Sequence, residues 1–158
     1  MTNVEEFLRV QNIEFVLHEH PAVFTCAQAE TYCADIPGLA CKNLFLQNDK
    51  KTTYILFVLP AHKKANLKKL SEQLGEKKLR FASEEDVQKI LALEPGSLTP
   101  FGLLNDEEQC VILCLDTEVL HAEIVTFHPN RNTATLELTQ DMFQKYLHCI
   151  NKTCIEVF

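Results

Sequence analysis

The sequence predicts an α/β domain built as a single mixed, largely antiparallel sheet with packed helices. Helix-opening signals alternate with apolar, β-rich runs along the whole chain. The runs come in pairs around short polar loops, Gln47-Asn-Asp-Lys-Lys51 and Pro129-Asn-Arg-Asn132, as hairpins do. Such interleaving disfavours a purely parallel, doubly wound sheet. With 158 residues, 46% hydrophobic and 23% charged, residues 1–158 fit one compact domain with a core of ordinary size.

Each element has a local reason. Thr2-x-x-Glu5 has the form of a capping box and opens a short helix through Val4, Phe7, Leu8 and Gln11. Ile13 to His18 reads as a strand, and Thr25-x-x-Gln28 opens a helix to about Tyr32 that Asp35-Ile-Pro-Gly38 ends with turn chemistry. Leu44 to Gln47 and Thr53 to Leu59 form the first hairpin. Asn66 caps a helix carrying Leu67, Leu70 and Leu74 and closing at Gly75, and Ser83-Glu-Glu-Asp opens another through Val87, Ile90 and Leu91. Glu94-Pro95 and Gly96-Ser-Leu-Thr-Pro-Phe-Gly102 read as a fixed turn, neither helix nor strand, whose backbone groups could face a small ligand. Strands follow at Cys110 to Leu115, Glu123 to Phe127 and Thr133 to Leu138, then a helix from Thr139 to Leu147 and a terminal strand Cys154 to Val157.

Composition excludes several classes. The N-terminus has no basic flank followed by an apolar run, and the longest apolar stretch, Tyr54 to Pro60, is far below a membrane span. A soluble, unexported, cytoplasmic protein with no membrane partner is expected. The seven cysteines are odd in number and several sit in apolar strands, which fits reduced thiols better than a disulfide framework. A net charge of −7 argues against nonspecific nucleic-acid binding, and no DNA partner is expected. From Lys63 to Arg80, however, seven cationic side chains face only Glu72 and Glu76, a local balance of +5. Lys63, Lys64, Lys68 and Lys69 are either the solvated face of a helix or an RNA contact.

Three segments carry a family pattern: Lys42-Asn-Leu-Phe-Leu46, a Gly-x-x-x-Pro loop filled by Gly96 and Pro100, and Phe127-His-Pro129. In this order and over essentially the whole chain, the layout resembles the YbaK/prolyl-tRNA-synthetase-associated editing domains, and among them the free-standing Ala-tRNA(Pro) deacylases. The resemblance implies the same α/β class. It also implies hydrolysis of mischarged Ala-tRNA(Pro), with the tRNA(Pro) acceptor end as partner and prolyl-tRNA synthetase as a further one. The cysteine-clearing branch usually carries Gly-Gly-x-Ser-Pro, where this chain has Gly-Ser-Leu-Thr-Pro. A Cys-tRNA(Pro) or other aminoacyl-tRNA deacylase of the same family stays as the alternative, as does a noncatalytic adaptor that binds tRNA or the synthetase.

The residues admit functional and plain readings side by side. Lys42 lies where the chain passes from turn into apolar strand, so its ammonium is either held at a cleft mouth or snorkels at an edge. The resemblance makes it the functional lysine, a point cation for a phosphate or for charge on the ester carbonyl. Asn43 falls on the opposite face of a regular strand and reaches substrate only if the strand begins irregularly. His128 either contacts a ligand or satisfies polar groups at a strand end; the resemblance places it beside the aminoacyl pocket. The resemblance also gives Gly96 the role of presenting backbone groups to substrate, with Thr99 and Pro100 fixing the loop. His18 and His20 share a strand face roughly 7 Å apart, but no third ligand accompanies them, so no metal site and no cofactor are expected. Cys110 and Cys114 would lie roughly 13 Å apart in one strand, no Cys-x-x-Cys occurs, and nothing singles out one cysteine as a nucleophile. Neither a Gly-x-Ser-x-Gly elbow nor a dinucleotide or Walker loop is present. The resemblance implies a substrate-assisted reaction instead: the ester's α-ammonium and neighbouring ribose hydroxyl supply much of the chemistry, and the protein orients the ester and excludes the wrong amino acid.

Overall fold

The computed structural model describes residues 3–94 and 96–158, apart from the side chain of Cys26. Thr2 and Pro95 lie outside the described residues. The first helix, α1 (Val4–Val10), is capped by Asn3, whose side chain accepts from the Glu6 N–H at 2.9 Å. Then come β1 (Val16–Glu19), α2 (Cys26–Cys33), β2 (Leu39–Asn48), β3 (Tyr54–Pro60), α3 (Leu67–Leu74), β4 (Leu79–Phe81) and α4 (Glu84–Leu91). A 3-10 helix (Pro100–Asn105) precedes β5 (Val111–Asp116), α5 (Thr117–His121), β6 (Ile124–Phe127), β7 (Ala134–Thr139), α6 (Gln140–Cys149) and β8 (Cys154–Val157).

Eight strands form one sheet in the order β1-β7-β6-β2-β3-β5-β8, with β4 added to β2. Four of its pairings are antiparallel (β1·β7, β2·β3, β2·β4, β6·β7) and three parallel (β2·β6, β3·β5, β5·β8). The mixed sheet expected from sequence is present. One core fills the face carrying Phe45, Leu56, Val58, Leu113, Val125, Phe127 and Leu136, covered by α1, α4, the 3-10 helix and α6. A smaller core on the other face gathers Leu46, Ile55, Phe57, Leu59 and Val157 beneath Leu70 of α3.

Several boundaries differ from the sequence reading. β2 begins at Leu39 rather than Leu44. Its first residues pair with β6, Leu39 with Val125 and Ala40 with Thr126, a contact made far along the chain and invisible to local patterning. Gly38 makes the approach possible: its φ is +110°, and a Cβ there would lie 2.6 Å from Ile124 Cγ2. Part of the Pro/Gly loop winds into the 3-10 helix, started by Pro100, whose fixed φ suits a first turn. The three-residue β4 and the single-turn α5 were not read from sequence, being too short to show a period.

Candidate active site

The sheet splits beside β2. On one edge of β2, β6 pairs only with Leu39 and Ala40 and β4 only with Leu46 to Asn48, so no ladder covers the stretch between them. On the other edge β3 pairs continuously from Cys41 to Gln47. Lys42 therefore sits inside a regular strand, at a gap in the sheet, and not at a turn-to-strand junction.

Strand alternation settles which residues share a face. Lys42 pairs with Leu59 of the smaller core, and Asn43 with Val58 of the larger one. The two point to opposite sides, because β2 starts regularly. Asn43 Oδ1 is buried with no hydrogen-bond partner. Ala40 and Thr126 are paired neighbours. Lys42 and His128, each two residues further along diverging strands, fall on their face. Alternation thus puts Lys42 and His128 on one face of the sheet, and leaves Asn43 on the core side. Lys42 is half-buried, and no carboxylate of the described residues pairs with it.

His128 is fixed by a hydrogen bond of 2.9 Å between Nδ1 and the Ala134 carbonyl. A carbonyl only accepts, so Nδ1 carries the proton and Nε2 keeps its lone pair. Burial lowers the pKa of the imidazole, the bond to Ala134 raises it, and the neighbouring His20 lowers it again. The net shift is downward, so the ring is a neutral acceptor at physiological pH.

The Gly96–Pro100 loop is held from within. Gly96 is exposed, with φ +86°, and faces Val23 and Phe24, whose nearest backbone atoms would be 3.9 Å from a Cβ there. Space permits a side chain; the left-handed backbone is what favours glycine. Thr99 is fully buried and its Oγ1 accepts from the Phe101 N–H at 3.3 Å, capping the 3-10 helix. The Pro100 carbonyl accepts from the Tyr146 hydroxyl at 2.8 Å, and the Phe101 carbonyl from Asn130 Nδ2 at 3.4 Å. Of the loop residues singled out in the sequence, Gly96 is at the surface, while Thr99 and Pro100 lie beneath it.

The four lysines differ in their partners, although Lys63, Lys64 and Lys69 line one groove. Lys63 Nζ lies 3.1 and 3.0 Å from the two oxygens of the buried Asp116 and 3.3 Å from Glu118 Oε1, an internal role. Lys64, Lys68 and Lys69 are exposed. Lys64 and Lys69 edge a groove of about 210 Å³ with Phe57 and Leu59 in its lining, on the same sheet face as Lys42.

Sequence reading missed Thr135 and Cys33. On β7, Thr135 and Glu137 face His18 and His20, with His18 Nε2 2.9 Å from Glu137 Oε1 and His20 Nε2 2.8 Å from Thr135 Oγ1. Cys33 Sγ of α2 lies 3.7 Å from the same Thr135 oxygen. The available signal was polar alternation in β7 matching His18 of β1 and His20 just after it. Among the described residues no group of three or more His, Cys, Asp or Glu side chains could hold a metal ion. Burial pushes the thiol of Cys41 to about 12, with Asp116 adding to it, and that of Cys114 to about 12; burial and Asp106 push Cys110 to about 11. These thiols are protonated and poor nucleophiles at neutral pH.

A cation and a neutral acceptor thus share one face of the mixed sheet beside a gap in its pairing. The chain belongs to the aminoacyl-tRNA editing domain family, whose profile matches residues 20–146. Editing of an aminoacyl-tRNA is hydrolysis of its ester, so this is the domain of an aminoacyl-tRNA deacylase. The chain is 36% identical over 141 residues to the prolyl-tRNA editing protein ProX of Acetoanaerobium sticklandii, covering 89% of this chain and 86% of that protein. It is 34% identical over 146 residues to the prolyl-tRNA synthetase associated domain-containing protein 1 of Danio rerio, covering 91% and 79%. The fold is shared with hypothetical protein APE2540 (TM-score 0.77, 19% identity, 99% of both chains). It is shared too with a candidate trans-editing enzyme for prolyl tRNA synthetase (TM-score 0.73, 19% identity, 98% and 93%). Among the described residues no helix is long and apolar enough to cross a membrane.

Proposed function

We propose that this chain is a trans-acting editing deacylase that hydrolyses mischarged Ala-tRNA(Pro) in the cytoplasm, with prolyl-tRNA synthetase as a further partner. The observation that carries the reading is the placement of Lys42 and the accepting Nε2 of His128 on one face, beside the gap in the sheet. Lys42 supplies the fixed positive charge, holding the terminal phosphate or the ester carbonyl as negative charge develops on it. His128 offers a neutral acceptor to the substrate's α-ammonium and forms one wall of the amino-acid pocket. Gly96 presents backbone to the substrate, while Thr99 and Pro100 keep the loop in shape. Asn43 lies on the other face of β2, where its buried Oδ1 has no partner among the described residues, and takes no part on the Lys42 side of the site.

In the reaction, water attacks the ester carbonyl, the bond from carbon to the ribose oxygen breaks, and that oxygen leaves with a proton relayed by the neighbouring ribose hydroxyl. Of the water's two protons, one enters the relay and replaces the proton given to the leaving oxygen, and the other is released to solvent as the carboxylate forms. The protein's share is orientation and charge stabilisation. Of the basic run, Lys64, Lys68 and Lys69 are free to meet tRNA phosphates. Lys63 is occupied by Asp116 and contributes by keeping that carboxylate neutralised.

Alanine is smaller than proline, and a hydrophobic pocket gains only about 1–3 kcal/mol per methylene, so attraction alone would favour proline. Rejection of proline is therefore steric, by a pocket too small for the pyrrolidine ring. Deacylation measured on a panel of alanyl, prolyl, cysteinyl and seryl esters of tRNA(Pro) tests the reading. A preference for cysteine would move the chain to the alternative substrate, and no hydrolysis of any ester would leave only an adaptor.

A further inference from the structure

The polar face of β1, β7 and β6 holds a chain of side chains that has no assigned role. His20 is bound at both nitrogens: Nδ1 lies 2.9 Å from the Pro21 carbonyl and Nε2 2.8 Å from Thr135 Oγ1. Since the carbonyl only accepts, Nδ1 carries a proton; in the neutral ring Nε2 then keeps its lone pair and the Thr135 hydroxyl donates to it. Thr135 is only 5% exposed. Its remaining lone pair faces Cys33 Sγ at 3.7 Å, so the buried hydroxyl is engaged as both donor and acceptor.

The ring fixed in this way meets His128 edge-on, with centroids 6.2 Å apart and planes inclined by 63°. His128 is held at Nδ1 by Ala134, the residue before Thr135 in β7. Consecutive residues of one strand thus hold both imidazoles, Ala134 through its carbonyl and Thr135 through its side chain. A single hydrogen bond at Nδ1 leaves the His128 ring free to pivot about that bond; an immobile neighbour against its edge removes the freedom. Thr135 faces away from the apolar core of Leu136 and Leu138, so filling that core does not explain its burial.

We propose that His20 and Thr135 are positioning residues for His128: the Thr135 hydroxyl locks the His20 ring, and that ring buttresses His128 so that its Nε2 and its edge set the size limit of the amino-acid pocket. The catalytic half of this inference rests on the editing reading; the side-chain network does not.

The test has one arm that needs no substrate. Nitrogen-15 NMR of the free protein at neutral pH should find both His20 and His128 protonated at Nδ1 alone. Thr135→Val, which keeps the branched shape and removes the hydroxyl, should shift the His20 Nε2 signal toward that of an unbonded nitrogen and shift the His128 ring signals, and Thr135→Ser should restore both. In the second arm, discrimination between alanyl and prolyl esters of tRNA(Pro) should fall about tenfold in Thr135→Val and in His20→Ala, with kcat for the alanyl ester little changed and recovery in Thr135→Ser. His20→Ala serves as the second variant because the ring is only half-buried. Protonation of His20 at Nε2 in the unaltered protein, or His128 signals indifferent to Thr135→Val, would overturn the network. Discrimination unchanged in both variants would overturn its role in selectivity. A protein that cleaves no aminoacyl ester refutes the editing reading, and the NMR arm still decides the network.

Discussion

Tyr146→Phe isolates one hydrogen bond in the support of the site. The Tyr146 ring is fully buried, packed at 4.9 Å between centroids against Phe101 and 6.4 Å against Phe143, and phenylalanine retains those contacts. What is lost is the donor to the buried Pro100 carbonyl, 2.8 Å away. Burial raises the phenol's pKa well above its ordinary value, so the hydroxyl remains a donor at any working pH. Leaving a buried acceptor unsatisfied costs about 1–3 kcal/mol. For a domain of this size each kcal/mol lowers Tm by about 2–4 °C, so calorimetry should show a fall of roughly 2–12 °C. Because Pro100 closes the Gly96–Pro100 loop, the same variant should cleave prolyl esters more readily relative to alanyl ones. A Tm within about 1 °C of the unaltered protein, with selectivity intact, would mean that the Pro100 carbonyl finds another donor and that Tyr146 does not hold the loop.

Three further outcomes are expected. His128→Ala should enlarge the pocket and weaken discrimination against serine, cysteine and proline esters while leaving Lys42-dependent hydrolysis partly intact; unchanged selectivity would remove His128 from the pocket wall. The folded-state pKa of His128 is lowered, chiefly by burial, so its contribution to stability is complete above the unfolded value of ~6.5 and is lost as pH falls from there toward the folded value. Urea midpoints of the unaltered protein should accordingly drop more between neutral and mildly acidic pH than those of His128→Gln, and parallel curves would contradict the shift. Replacing Lys64, Lys68 and Lys69 by glutamine should lower tRNA affinity and reduce its salt slope by about three, whereas an unchanged slope would make them a solvated helix face.

Much of the fold was legible because its signals are local. Asn66, Ser83 and Thr25 cap α3, α4 and α2 as their side chains suggested, accepting from Lys69, Asp86 and Gln28 N–H groups at 3.0, 3.1 and 3.1 Å. β8 runs from Cys154 to Val157 as its residues indicated. What escaped depends on partners distant in sequence. The start of β2 is set by β6, and the gap that gives Lys42 its surroundings exists only because β6 and β4 pair with different ends of one strand. Lys63 looked equivalent to its neighbours until Asp116, far along the chain, claimed it. The candidate residues come from motif; that Lys42 and His128 share a face, and that Thr135 meets His20, required the sheet.

The most direct measurement compares hydrolysis of Ala-tRNA(Pro) and Pro-tRNA(Pro) by the unaltered protein and by Lys42→Ala. Lys42 is half-buried without an ion-pair partner among the described residues, so alanine should leave the domain folded, with far-UV circular dichroism and Tm close to the original. The account predicts rapid cleavage of the alanyl ester, much slower cleavage of the prolyl ester, and loss of most alanyl-ester activity in the folded variant. Equal rates on the two esters, or near-normal turnover by folded Lys42→Ala, would contradict it.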